Sequence, residues 1–188
     1  MGESELMAAA RQWVIDRYPY NREHLLRALE WLDRVAPGSD EAVRLATLTH
    51  DMERAFPGQD QPHSRKFVDA ECERLHAERS ARIVGEWMRE QQAAPTLIAE
   101  VERLIRAHEV GGWPDADLVQ AADSLSILDT NIDLFLGFVR SGRFTIEDVR
   151  EKFEVSRDRI RISHLKALAA PMADRALERL RSLEMELA

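Results

Sequence analysis

The sequence predicts an all-α protein, a single-domain helical bundle, and three observations carry that expectation. Apolar residues recur at helical spacing through nearly the whole chain, as in the stripe Ile162, Leu165, Ala169, Met172, Ala176, Leu180 and Leu183. No alternating run of β-branched residues is flanked by hairpin turns. The interruptions between periodic segments carry Pro, Gly or a capping side chain, which punctuate helix ends.

Taken in order, residues 4–18 form a first helix that stops before Pro19. Residues 21–35 form a second, with Ala28, Trp31, Leu32 and Val35 on one face and Pro37–Gly38 beyond its end. Ser39 and Asp40 cap a third helix that runs to about Arg54. The turn residues of Phe56–Pro62 make a loop, and a long helical run then reaches about Gln92 with Ile83, Val84 and Trp87 inward. Pro95 opens the next helix, whose inward residues are Leu97, Val101, Leu104 and Ile105. Gly111–Gly112–Trp113–Pro114 breaks it. Helix resumes over residues 115–139 and ends at Ser141–Gly142. Thr145 caps a short helix, and residues 156–187 form the last. No internal repeat and no linker divides the chain, so one domain over residues 1–188 is expected.

The totals exclude several classes. With 26 basic and 34 acidic residues, the net charge is −8, which disfavours a sequence-independent grip on nucleic acid. Cys72, the single cysteine, can form no internal disulfide, which fits a reducing compartment. No apolar run reaches the about 18 residues of a membrane span. The opening Met-Gly-Glu-Ser-Glu is acidic and lacks the basic-then-apolar pattern of a leader, so a cytoplasmic location is expected.

The informative feature is polar residues on inward faces. His24 shares a face with Ala28, Trp31, Leu32 and Val35; His50 shares one with Val43 and Ala46. His76 lies one turn before Ser80, and His108 continues the series Leu97, Val101, Leu104, Ile105. Asp123 falls midway between Val119 and Ile127, and Asp51 follows His50 directly. A single inward histidine is ordinarily a hydrogen-bonded core residue. Four histidines and two aspartates drawn from five helices satisfy one another awkwardly, whereas a divalent metal satisfies them together. Mixed imidazole and carboxylate donors suit Fe, Mn, Zn, Ni or Co, and the absence of a cysteine among them argues against a structural zinc finger.

The quoted pieces then fall into a known order. HLLRAL from His24, LATLTHDMER at 45–54, HAERSARIV at 76–84, LIRAHE at 104–109 and LVQAADSLSIL at 118–128 together resemble the HD superfamily of metal-dependent phosphohydrolases. The resemblance covers about residues 20–130. It implies an HD-type bundle with one metal on His24, His50, Asp51 and Asp123, and a second on His76 and His108 with Asp51 bridging. One or two divalent ions are therefore expected. The implied reaction is hydrolysis of a phosphate ester of a small metabolite or nucleotide by a metal-activated water. The same ligand set also occurs in HD-type di-iron oxygenases that cleave C–C or C–P bonds, which is the alternative. A regulatory module on the same scaffold would be expected to lack ligands, and here all six positions are filled.

Asp51 and Arg54 are the candidate catalytic residues: Arg54 suits phosphate through its planar fork, with a surface ion pair as its plainer role. Glu53 is expected on a solvated helix position, and His63 on an exposed loop. His164 reads as a core or rim residue. Arg79 and the cluster Arg157, Arg159 and Arg161 read as solvated faces. Trp31, Trp87, Met172 and Met185 read as core. Trp113 is read as loop packing, with stacking on a substrate as its other role. Residues 141–188 match no motif and are expected to cover the bundle and shape the pocket.

Overall fold

The computed structural model describes residues 3–188; Met1 and Gly2, at the head of the acidic opening segment, lie outside the described residues. The chain runs α1 (Glu5–Arg17), α2 (Arg22–Val35), α3 (Glu41–Thr49), a 3-10 turn (Met52–Ala55), α4 (Ala70–Glu90), α5 (Pro95–Ala107), α6 (Pro114–Thr130), α7 (Ile132–Arg140), α8 (Ile146–Asp158) and α9 (Ser163–Leu187). The described residues contain no strand, and none of their helices is long and apolar enough to cross a membrane.

Local chemistry sets most of the ends. Ser4 caps α1 by accepting from the Met7 N–H, and Asp69 caps α4 by accepting from those of Glu71 and Cys72. Thr145 and Asp148 form a reciprocal capping box on α8. Pro95 and Pro114 open α5 and α6, where a missing N–H costs nothing. Gly111 has φ +66°, and a Cβ there would run into the Asp117 carboxylate, so the turn between α5 and α6 needs glycine.

Four boundaries differ from expectation. The third helix stops at Thr49 instead of continuing to Arg54; Asp51 leaves helical geometry at φ −98°, ψ 8°. Residues 63–69 are irregular, and α4 begins only at Ala70. The helix expected over 115–139 is two, because Asn131 closes α6 by donating to Ile127 and opens α7 by accepting from Phe135. The helix expected over 156–187 is also two, parted by residues 159–162. Apolar spacing continues across each short break, so periodicity alone conceals it.

Two apolar clusters share one central helix. The first gathers α1–α5 and the start of α6, including Val14, Leu29, Leu45, Val84, Leu104 and Val119. The second joins the rest of α6 to α7, α8 and α9 through Leu125, Leu128, Phe135, Phe153 and Leu180. Buried between them, α6 is covered almost all round from Val119 to Leu128. Asp123 sits at the seam. Trp87 is buried as expected and stacks on Trp13 at 4.6 Å. Met172 is core, but Met185 is 75% exposed on the last turns of α9, beyond the cluster's reach.

Candidate metal centre

The six inward residues come together. Donor atoms of His24, His50 and Asp51 lie within 4.8 Å of one another, as do those of His50, His108 and Asp123, and those of Asp51, His76 and His108. These overlapping trios make one continuous cluster fed by α2, α4, α6 and the C-terminal ends of α3 and α5. The early end of α3 matters here. The turn at Asp51 replaces the fixed angular step of successive helical residues and lets adjacent side chains serve one centre. All four histidines are at most 2% exposed; the Asp51 side chain keeps 13%.

Each imidazole is held the same way. Nδ1 of His50 donates to the Thr47 carbonyl at 2.9 Å, and Nδ1 of His108 to the Ile105 carbonyl at 2.7 Å. Nδ1 of His76 meets the Glu53 carboxylate at 2.8 Å. Nδ1 of His24 lies 3.0 Å from Ser126 Oγ, whose own proton goes to the His24 carbonyl. Carbonyls and carboxylates only accept, so Nδ1 carries a proton and Nε2 is the nitrogen turned inward, available to an ion once any proton on it leaves. Nε2 of His50 and of His108 are buried without a hydrogen-bond partner among the described residues. Nε2 of His50 does approach Asp123 Oδ1 at 3.2 Å, but without hydrogen-bond geometry. Buried, orphaned imidazole nitrogens beside carboxylates, each ring fixed from behind, fit a divalent transition metal.

The electrostatics keep the carboxylates ionised. Burial would raise the Asp123 carboxyl, but Arg159 and His50 hold it well below the usual range. Burial likewise opposes ionisation of Asp51, and Arg54 and His76 override it. For His50, burial disfavours the cation, yet Asp123 pushes the imidazole up to about 9.

Several residues stand elsewhere than expected. Glu53 is not solvated: it is 1% exposed, bonded to His76 and paired with Arg79 at 2.9 Å. Arg79 is buried too and binds the Glu53 and Phe56 carbonyls. Arg159 leaves its solvated neighbours Arg157 and Arg161 to pair with Asp123 and Glu109 and to donate to Ser124 at 2.8 Å. Their charge made all three look like surface residues. Their partners lie far off in sequence, Glu53 for Arg79 and Asp123 and Glu109 for Arg159, so only tertiary contact reveals them. His164 is exposed, not core or rim. Trp113 packs against the first cluster under the Arg103 guanidinium, 4.3 Å away, and does not reach the pocket.

The centre opens into a cavity of about 340 Å³ whose wall includes His24, Asp51, His76 and Asp123. Arg54 lines it, half-exposed, with Nε 3.3 Å from Asp51. His63 reaches its rim from the loop. Tyr18, which carried no sequence signal, turns a buried and unpartnered hydroxyl toward the same space. The C-terminal helices contribute Phe138, Arg143, Phe144 and Lys152 to the wall.

Fold and donor set together define an all-α protein with a buried His/Asp cluster that could hold a metal inside a helical bundle. The HD domain family matches residues 21–128, more than half of the chain and every candidate ligand from His24 to Asp123. The chain belongs to the HD-domain family, within a superfamily of metal-dependent hydrolases. No curated protein and no solved structure matches it.

Proposed function

We propose that the protein is a phosphohydrolase that cleaves a phosphate ester of a small metabolite or nucleotide. One observation carries the reading: four histidines and two carboxylates cluster together, and His24, Asp51, His76 and Asp123 of that cluster open onto a cavity that also presents Arg54. In this scheme His24, His50, Asp51 and Asp123 hold one ion, and His76 and His108 hold a second with Asp51 shared. Fe, Mn, Zn, Ni and Co suit these donors.

A bound ion supplies Lewis acidity, polarising a phosphoryl oxygen and making water a nucleophile near neutral pH. The chain's own groups do the rest. Asp51 fixes the floor of the site, and its partner Arg54 is free to swing its fork onto the phosphate. Tyr18, whose phenol is pushed up by burial and by Asp51, stays protonated and donates to a substrate oxygen.

The test is phosphate release from a panel of phosphomonoesters after loading with Mn, Co or Ni. The wild-type protein should release phosphate, and Asp51→Ala should lose that activity. A metal-loaded protein inert across the panel removes the reading. Oxygen consumption by the iron-loaded protein in place of phosphate release would support the oxygenase alternative.

A further inference from the structure

Three buried cations lie near the candidate metal centre, and each of the two arginines is held by several acceptors. Arg79 is held by the Glu53 carboxylate and two backbone carbonyls. Arg159 is held by Asp123, Glu109 and Ser124. Lys152 on α8 differs. It is 8% exposed and lines the cavity, and its ammonium lies 3.6 Å from Glu73 Oε1, an ion-pair separation too long for a hydrogen bond. An ammonium carries three donors, and among the described residues none of them makes a hydrogen bond. Held by one long ion pair and placed on the cavity wall, these uncommitted donors are available to an anionic ligand in the cavity.

The surroundings describe that ligand. The cavity wall that carries Lys152 also carries Glu109, Asp51, His76 and Asp123. The Lys152 ammonium is 5.9 Å from the ring of Phe67, which stacks on Phe144 at 4.4 Å. Phe138 and Phe144 also face the cavity, beneath the Arg143 guanidinium. An anion at Lys152 therefore sits between a metal-binding floor and an apolar wall.

We infer that Lys152 contacts the anionic group of the substrate, and that the substrate is a small phosphomonoester whose organic part is apolar or flat and lies against Phe67, Phe138 and Phe144. The identity of the anion rests on the phosphohydrolase reading; the uncommitted ammonium donors and the aromatic wall do not. Lys152, Phe138 and Phe144 all lie beyond residue 128, outside the matched family region, so specificity comes from the chain's own C-terminal helices.

The experiment uses manganese-loaded full-length protein, with inorganic phosphate binding measured by calorimetry alongside manganese content. Lys152→Met should weaken phosphate binding by about ten-fold or more with manganese content unchanged, and Lys152→Arg should keep part of the affinity. If Lys152 served only to balance Glu73, adding Glu73→Gln to Lys152→Met would restore binding; the double variant is expected to stay as weak as the single one. Wild-type affinity in Lys152→Met, or recovery in the double variant, overturns the anion contact and leaves the hydrolase reading standing. A wild-type protein that neither binds phosphate nor releases it from phenyl phosphate overturns both. KM for phenyl phosphate should be lower than for glycerol 3-phosphate, and Phe144→Ala should narrow the gap. Equal KM values in the wild type overturn the apolar wall.

Discussion

At the scale of single residues, the backing of each imidazole decides how well the centre holds a metal. Glu53 fixes His76 from behind and is itself fixed by Arg79. Glu53→Ala should weaken metal affinity by about 10- to 100-fold, read by competition with a chelating dye, while circular dichroism stays helical. Protons compete for the same nitrogens. Because Asp123 pushes the His50 imidazole up to about 9 in the metal-free chain, binding must displace a proton. Apparent affinity should therefore rise with pH from the weakly acidic range to about 9 and then flatten, with proton release seen by calorimetry in buffers of different ionisation enthalpy. An affinity independent of pH would argue against imidazole ligation. The clustering of these six residues was legible from sequence because an inward polar residue breaks an apolar face. Glu53, Arg79, Arg159 and Lys152 were not, because a charged residue at helical spacing looks the same whether it meets solvent or a buried partner.

At the scale of elements, the informative points are where helices stop. The end of α3 at Thr49 and the gap between α8 and α9 both deliver residues to the centre: His50 and Asp51 from one, Arg159 from the other. Neither break carries a proline or glycine, so the sequence continued both helices. Arg159 joins a segment outside the matched family region to Asp123 and Glu109 on α6 and the end of α5. Its side chain is 9% exposed and that of Asp123 4%, so removing it strands buried carboxylates. Arg159→Ala should destabilise the metal-free protein by about 3–5 kcal/mol in urea unfolding. The loss should be smaller with metal bound, since the ion then compensates Asp123. An equal loss in both states would show that Arg159 acts on packing alone.

At the scale of the whole molecule, α6 joins two apolar clusters and puts Asp123 between them. The bundle class was legible because helical periodicity survives errors in helix ends. The division of the core was not, because one amphipathic stripe does not say which neighbour it meets. Leu104, fully buried in the first cluster, should cost about 2–5 kcal/mol on change to alanine. Met185→Ala on the exposed end of α9 should change stability by no more than about 0.5 kcal/mol. Denaturant titration of both variants checks the assignment of core and surface.

Elemental analysis of protein incubated with Mn, Fe, Co, Ni or Zn and then freed of excess ion addresses the metal centre itself. The wild-type chain should retain at least one ion per molecule and melt at a higher temperature than the metal-free form, whereas the Asp51→Ala, Asp123→Ala double variant should retain none. A wild-type chain that retains no ion, and whose Tm none of these metals moves, would contradict a metal centre built from His24, His50, Asp51, His76, His108 and Asp123.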